Sequence, residues 1–251
     1  MIETNIKELK CLINLIKAEW FKLLKSFPFR ILCLCNAASL VTTVMLNFLG
    51  SKGSTGYDAL LISLGYILHH SIIGYVFAAF FLCDEFSYHT FGMSLSCGVS
   101  RRKIFDAKVF TFLVGLLLLF LIYTGSVMSV ATILNGFGKE LSIDIIFLLL
   151  CGLLGEIAMG TVMILIAVIV KKASITIGLG IGVTYSLILG RTYYLQKNIF
   201  PFVKYTYSFQ IEQLIFWGED FLLEVFLAVM LLTVVIMLIV ARFIFERAEL
   251  K

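Results

Sequence analysis

The chain has 251 residues, 61% of them hydrophobic and 14% charged, with a net charge of +4. That balance excludes a water-soluble domain, and the few Lys and Arg sit beside apolar runs, which excludes a nucleic-acid-binding surface. Apolar runs and short connections use up nearly the whole length, so no soluble domain of about 100 residues fits between them.

Runs such as Val109–Val130 and Phe221–Ala241 can cross about 30 Å of hydrocarbon at about 1.5 Å per residue. Backbone at that depth must be helical or in a closed barrel, and continuous rather than alternating apolarity selects helices. The expected fold is therefore all-α and polytopic, with six transmembrane helices.

In residues 1–28, Ile6, Leu9, Ile13, Ile16, Trp20 and Leu24 recur at three- and four-residue steps, with Lys7, Lys10, Lys17, Lys22 and Lys25 over much of the remainder. That pattern predicts an amphipathic helix lying in the membrane surface, a simple solvated leader being the alternative. Pro28 is expected to end it or to turn the chain into the first span. The spans are expected at residues 31–49, 59–83, 109–134, 143–170, 173–190 and 221–241. The first lies behind a lysine-bearing segment with no small-residue cleavage site after it, which reads as a retained helix rather than a signal peptide. Residues 50–58 and the stretch NGFGKE at 135–140 are expected to be short polar turns.

The connection at 84–108 is long, and so is the aromatic stretch at 191–220, which holds Tyr193, Tyr194, Phe200, Phe202, Tyr205, Tyr207, Phe209, Phe216 and Trp217. Aromatics at that density belong at the outer membrane interface, and a plain aromatic belt is the simplest reading. Fifteen of the twenty Lys and Arg fall in the N-terminal segment, the 84–108 loop, Lys171-Lys172 and the C-terminal tail. By the positive-inside rule these all face the cytoplasm, as do both termini. On that topology none of Cys11, Cys33, Cys35, Cys83, Cys97 and Cys151 lies in an outer loop, so disulfides are not expected. Cys33-x-Cys35 lacks the spacing and partners of a zinc site and reads as small packing residues.

Within the spans, Ser174, Gly178, Gly182, Ser186 and Gly190 recur every four residues. Such a strip lets helices approach closely, inside the subunit or across a dimer, with a substrate-lining role as the alternative. Glu156 is the acid deep in the fourth span; it is either a coupling carboxylate or a protonated or hydrogen-bonded group between helices. His69 and His70 point about 100° apart on a helix. They cannot form one metal face, and at least one is expected to bond a neighbouring helix. His69, His70 and Glu156 are the candidates for a substrate path.

Residues 81–109, FLCDEFSYHTFGMSLSCGVSRRKIFDAKV, carry a resemblance. Asp84-Glu85, Thr90, Val99-Ser100-Arg101 and Lys108 follow the order seen in the first cytoplasmic loop of ABC-2-type permeases, the membrane subunits of one class of ATP-driven exporters. Where that family has a Gly-Thr pair, this chain has His89-Thr90. The whole layout is also similar to the family's.

The resemblance implies a cytoplasmic coupling helix near Ser87–Cys97 that docks on a separate ATPase. Phe86, Phe91, Met93 and Leu95 would supply apolar contact, Asp84 and Thr90 the motif, and Glu85, Arg101 and Arg102 ion pairs at the rim. Topology-setting cations are the plainer reading of Arg101, Arg102 and Lys103, but two to eight residues would suffice merely to connect two spans. The resemblance further implies two permease chains, identical or related, and two ATPase chains that hold ATP and Mg. Spans two and five would line the path, and the 191–220 stretch would dip back into the membrane as an outer lid on its exit. The compact form resembles permeases that expel amphipathic peptides or confer bacteriocin immunity in bacterial cell membranes.

The chain itself shows no phosphate loop. Gly136-Phe-Gly-Lys139 lacks the upstream Gly and the following Ser or Thr, and Gly178-Leu-Gly-Ile-Gly182 sits inside a span. No catalytic, cofactor or metal set is expected, which argues against an intramembrane enzyme. The rival to an ATP-driven permease is a secondary transporter run by an ion gradient, with Glu156 as its coupling group.

Overall fold

The computed structural model describes residues 2–49, 55–65, 67–96, 98–139, 143–197, 201–206, 208–210, 213 and 222–248, and among them it is helical without strands. α1 spans Ile2–Lys25 and α2 spans Phe27–Leu49. The break between them falls at Ser26, ahead of Pro28. The Ser26 hydroxyl donates to the Leu23 carbonyl at 2.8 Å and accepts from the Phe29 amide at 3.3 Å. Pro28 thus stands in the first turn of α2, where its missing N–H leaves no bond unmade. The Arg30 guanidinium closes the end of α1 on the carbonyls of Lys25 and Ser26.

The second apolar stretch is two helices rather than one, because α3 (Gly56–Gly65) meets the helical run His70–Ser87 at 54°. That run belongs to α4 (Ile67–Ala78), which continues through a π-helical turn at Ala79–Cys83 into α5 (Asp84–Ser87). α6 is Thr90–Ser96, α7 Arg101–Asn135, α8 Ile143–Val170 and α9 Ala173–Lys197; a 3₁₀ turn follows at Pro201–Tyr205, and α10 is Leu223–Arg247. α7 and α10 run well past their apolar limits into charged sequence, because the tertiary contacts described below satisfy those charges.

Among the described residues four helices are long and apolar enough to cross a membrane, namely α7, α8, α9 and α10, and the bent α3–α5 pair makes a fifth. α7 and α8 are central, with 61% of each span buried inside the subunit, whereas α9 and α10 bury 17% and 11%. α7 packs against α1, α2, α3 and α8; α8 packs against α10, α4 and α9; α4 packs against α9. The fully buried side chains Tyr75, Phe77, Phe112, Leu116, Phe120 and Met159 fill the centre, and Phe77 stacks on Phe112 at 4.8 Å between centroids. Lipid tails are as apolar as these side chains, so close packing and polar bonds must hold the helices together. A Cβ on Gly180 would lie 2.2 Å from the Tyr75 ring, so α4 and α9 touch only because position 180 has no side chain.

One end of the bundle is closed by a turn after α7. Thr55 and Asp58 cap α3 reciprocally, amide to carboxylate at 3.0 Å and amide to hydroxyl at 3.3 Å. The remaining first-turn amides of α3, those of Gly56 and Tyr57, donate to the carbonyls of Gly136 and Phe137, each at 3.0 Å. Gly136 and Gly138 take φ of 75° and 81°, which only glycine adopts without strain. The opposite end gathers α1, the 84–108 segment, Lys171 and the end of α10.

Candidate functional site

The 84–108 segment is not a free loop. The π turn re-aims the chain at Cys83, whose thiol meets Thr176 Oγ1 at 3.2 Å on α9. One helical turn later the Tyr88 amide closes on the Asp84 carbonyl at 2.8 Å, and His89 takes a left-handed φ of 55° to start α6. Phe86 and Phe91 face each other at 4.8 Å, and both lie against Phe245 of α10, at 6.0 and 5.3 Å. Phe105 of α7 meets the same ring at 5.3 Å. Phe91 is only 2% exposed, so it anchors the element to the bundle. Leu95 is half-buried against the same core. Tyr88, by contrast, is 75% exposed at the tip.

Charges fasten the same element. Lys108 is buried, ion-pairs with both Glu19 of α1 and Glu85, and lies 4.5 Å from the centre of the Phe81 ring. Lys22 adds a second cation, 3.0 Å from Glu19 and 3.7 Å from Glu85. Burial lowers the affinity of Lys22 for its proton, but the two carboxylates outweigh it and hold the ammonium above the ordinary lysine range. Two glutamates and two lysines thus compensate one another, which makes burial of Glu19 and Lys108 tolerable.

On the far side Arg101 donates to the carbonyls of Glu246 and Ala248, at 2.8 and 2.6 Å. These are acceptors left open at the end of α10, where a cation also suits the helix dipole. Arg102 pairs with the Glu246 carboxylate at 2.9 Å. Arg242 reaches the same carboxylate at 3.3 Å and Asp106 at 3.6 Å. The residues expected to face a partner therefore divide. Glu85, Phe86, Phe91, Arg101 and Arg102 hold the element onto its own chain, and Asp84 and Thr90 are half-buried. Thr90 Oγ1 lies 3.5 Å from the Glu85 carbonyl. The side chain of Met93 lies outside the described residues.

Tyr88 went unnoticed in the sequence. The one signal beside it is the replacement of the family's glycine by His89, at a backbone conformation that glycine favours.

At the middle of the bundle the structure joins two residues 86 positions apart, His70 and Glu156. His70 Nδ1 lies 2.7 Å from Glu156 Oε1, and both side chains are buried. His70 Nε2 lies 3.1 Å from Oδ1 of Asn36 on α2. Phe120 and Tyr123 of α7 flank the imidazole at 5.9 and 5.5 Å between centroids. The side chain of His69 lies outside the described residues. Asn36 carries no distinguishing signal in the sequence, since Asn47 lies in the same apolar run.

The strip Ser174, Gly178, Gly182 and Ser186 is exposed, and a Cβ on Gly178 or Gly182 would meet nothing within 4 Å among the described residues. Within one chain the contact with α4 and the π turn after it falls instead on Thr176, Gly180 and Thr184, the buried positions of α9. Four of the cysteines, Cys33, Cys35, Cys83 and Cys151, are free thiols; Cys11 and Cys97 lie outside the described side chains. Among the described residues no cluster of His, Cys, Asp and Glu has the makings of a metal site. Of the aromatic stretch, Phe200, Tyr207, Phe216 and Trp217 lie outside the described residues; Tyr194 and Phe209 meet edge-on at 5.4 Å.

No curated protein matches the sequence. The family described as "ABC-2 family transporter protein" matches residues 15–189, more than two thirds of the chain. The matched part holds α7, α8 and the whole 84–108 element, so the chain belongs to the ABC-2 family, as a multi-pass membrane subunit of an ABC transporter.

Proposed function

We propose that the chain is the permease of an ATP-driven exporter in a bacterial plasma membrane, crossing six times with both termini in the cytoplasm. Its cargo is hydrophobic or amphipathic, with amphipathic peptides such as bacteriocins the first class to try. Two copies of the permease, or one and a related chain, work with two ATPase subunits that hold ATP and Mg.

The observation that carries this reading is the construction of the 84–108 element. It is fixed to α1, α7 and α10 by Lys108, Arg101 and the phenylalanines around Phe245, yet it offers Tyr88 and His89 outward. A knob rigid toward its own spans and open at its tip is what transmits a push from another subunit. The cations gathered at that end favour its cytoplasmic placement. α2, at 23 residues, is about 34 Å long and supports the sixth crossing. The exposed apolar residues Ile13 and Leu24 suit α1 to the membrane surface. The outward strip on α9 supports pairing with a second permease.

Affinity purification of the chain from its native membranes tests the assignment. An ABC-type ATPase should co-purify with wild type and be lost from Tyr88→Arg while the variant remains folded. Transport of a fluorescent amphipathic peptide should require ATP. Transport by ATP-depleted vesicles under an imposed proton gradient, with Glu156→Gln abolishing it, would establish the ion-gradient reading instead.

A further inference from the structure

The His70 cluster lies on the same helical run as the coupling element. His70 is in the first turn of α4, which begins at Ile67 after the break with α3. His70 bonds to α8 through Glu156 and to α2 through Asn36. The next residue, Ser71, meets Thr184 Oγ1 of α9 at 2.9 Å. Two adjacent residues thus tie one helix to three others at a single level. At its other end the run carries Glu85 and the Tyr88 tip.

Asn36 Nδ2 donates to the Leu32 carbonyl at 2.9 Å, which turns Oδ1 toward the imidazole. Both ring nitrogens of His70 are thus engaged, with Phe120 and Tyr123 beside the ring. Glu156 Oε2 is buried and has no hydrogen-bond partner among the described residues, so the bond to His70 runs through Oε1.

Resting on the permease reading, we propose that this hub is the pivot of the second span. The segment His70–Ser87 turns about it when the ATPase moves the Tyr88 tip, and the hub passes that rotation to α3 and the far end. His70, Asn36 and Glu156 are then positioning residues, acting through the helix they hold.

The test uses the permease–ATPase complex in nanodiscs, with spin labels on noncanonical residues at exposed positions. One pair at Ser87 and Lys172, both exposed, reads the tip and leaves Tyr88 intact. A second at Lys139 and Leu195 reads the far end, where the α7 turn is bonded to α3. In wild type both distances should shift between nucleotide-free and vanadate-trapped states. His70→Leu should keep the tip shift and lose the far-end shift, while Glu156→Gln, whose amide can still donate to Nδ1, should keep both. A His70→Leu complex in which both shifts survive overturns the pivot, since a packing role would leave transmission intact. If His70→Leu does not fold, Thr184→Val with Glu156→Leu replaces it under the same two outcomes. A wild-type chain that captures no ATPase overturns the permease reading itself, a result distinct from either.

Discussion

At the scale of single residues, energetic importance does not follow charge count. Lys108 and Lys22 both pair with Glu19 and Glu85, but Lys108 is buried and the Lys22 side chain is 55% exposed. Removing a buried partner strands charge away from water, whereas an exposed pair contributes little. Lys108→Met should therefore destabilise the detergent-solubilised chain by about 3 kcal/mol or more, and Lys22→Ala by less than about 1 kcal/mol, both read by thermal unfolding. Equal effects would show that the two lysines share the load. His89 makes a second case. Its left-handed backbone is unfavourable for any residue with a Cβ, and worst for a β-branched one. His89→Gly should leave stability unchanged or raised, and His89→Val should lower it by about 1 kcal/mol; the reverse order would mean that the turn adopts another conformation.

At the scale of elements, α9 has two small-residue faces with opposite meanings. A Cβ on Gly180 would run into the Tyr75 ring, and one on Gly178 would meet nothing within 4 Å among the described residues. Gly180→Ala should force α4 and α9 apart and destabilise by about 1–3 kcal/mol. Gly178→Ala should fold as wild type, with a gain of up to about 1 kcal/mol from helix propensity. Unfolding of the two variants side by side checks the face assignment, and a loss in Gly178→Ala alone would invert it. The four-residue repeat in the sequence marks the outward face. The packed face is the less regular Thr176, Gly180 and Thr184 series, visible only once α4 is in place.

At the scale of the whole molecule, α1 is fastened to the transmembrane bundle by the carboxylate–lysine cluster and by Leu23, which is buried. The raised proton affinity of Lys22 gives that attachment a pH limit. The stabilisation it supplies is fully present below the ordinary lysine pKa of about 10.4, and is lost as pH rises through the raised value. With Trp217 replaced by Phe, fluorescence of Trp20 on α1 should change above that pH. The change should move to lower pH or weaken in Lys22→Gln. An identical profile in the variant would assign the transition to another group.

Much of the architecture was legible in the residues alone. Membrane-scale apolar runs can be read from composition because lipid leaves helices as nearly the sole outcome, and the bias of Lys and Arg to one end follows from the same physics. The order Asp84-Glu85, Thr90, Val99-Ser100-Arg101 and Lys108 was enough to suggest the family to which the chain belongs. What the sequence could not disclose is which partner each group chooses. The apolarity of Phe91 does not distinguish a docking surface from an anchor, and only the position of Phe245, over 150 residues away, decides it. Arg101 likewise is a generic cation until the carbonyls of α10 arrive beside it. His70 and Glu156 were each conspicuous in an apolar span, but their 2.7 Å contact and the part played by Asn36 exist only through the packing of three helices. Local periodicity and solvent preference are properties of a segment and can be read along it. Pairing between segments is decided by which faces the tertiary fold brings within a few ångströms of each other.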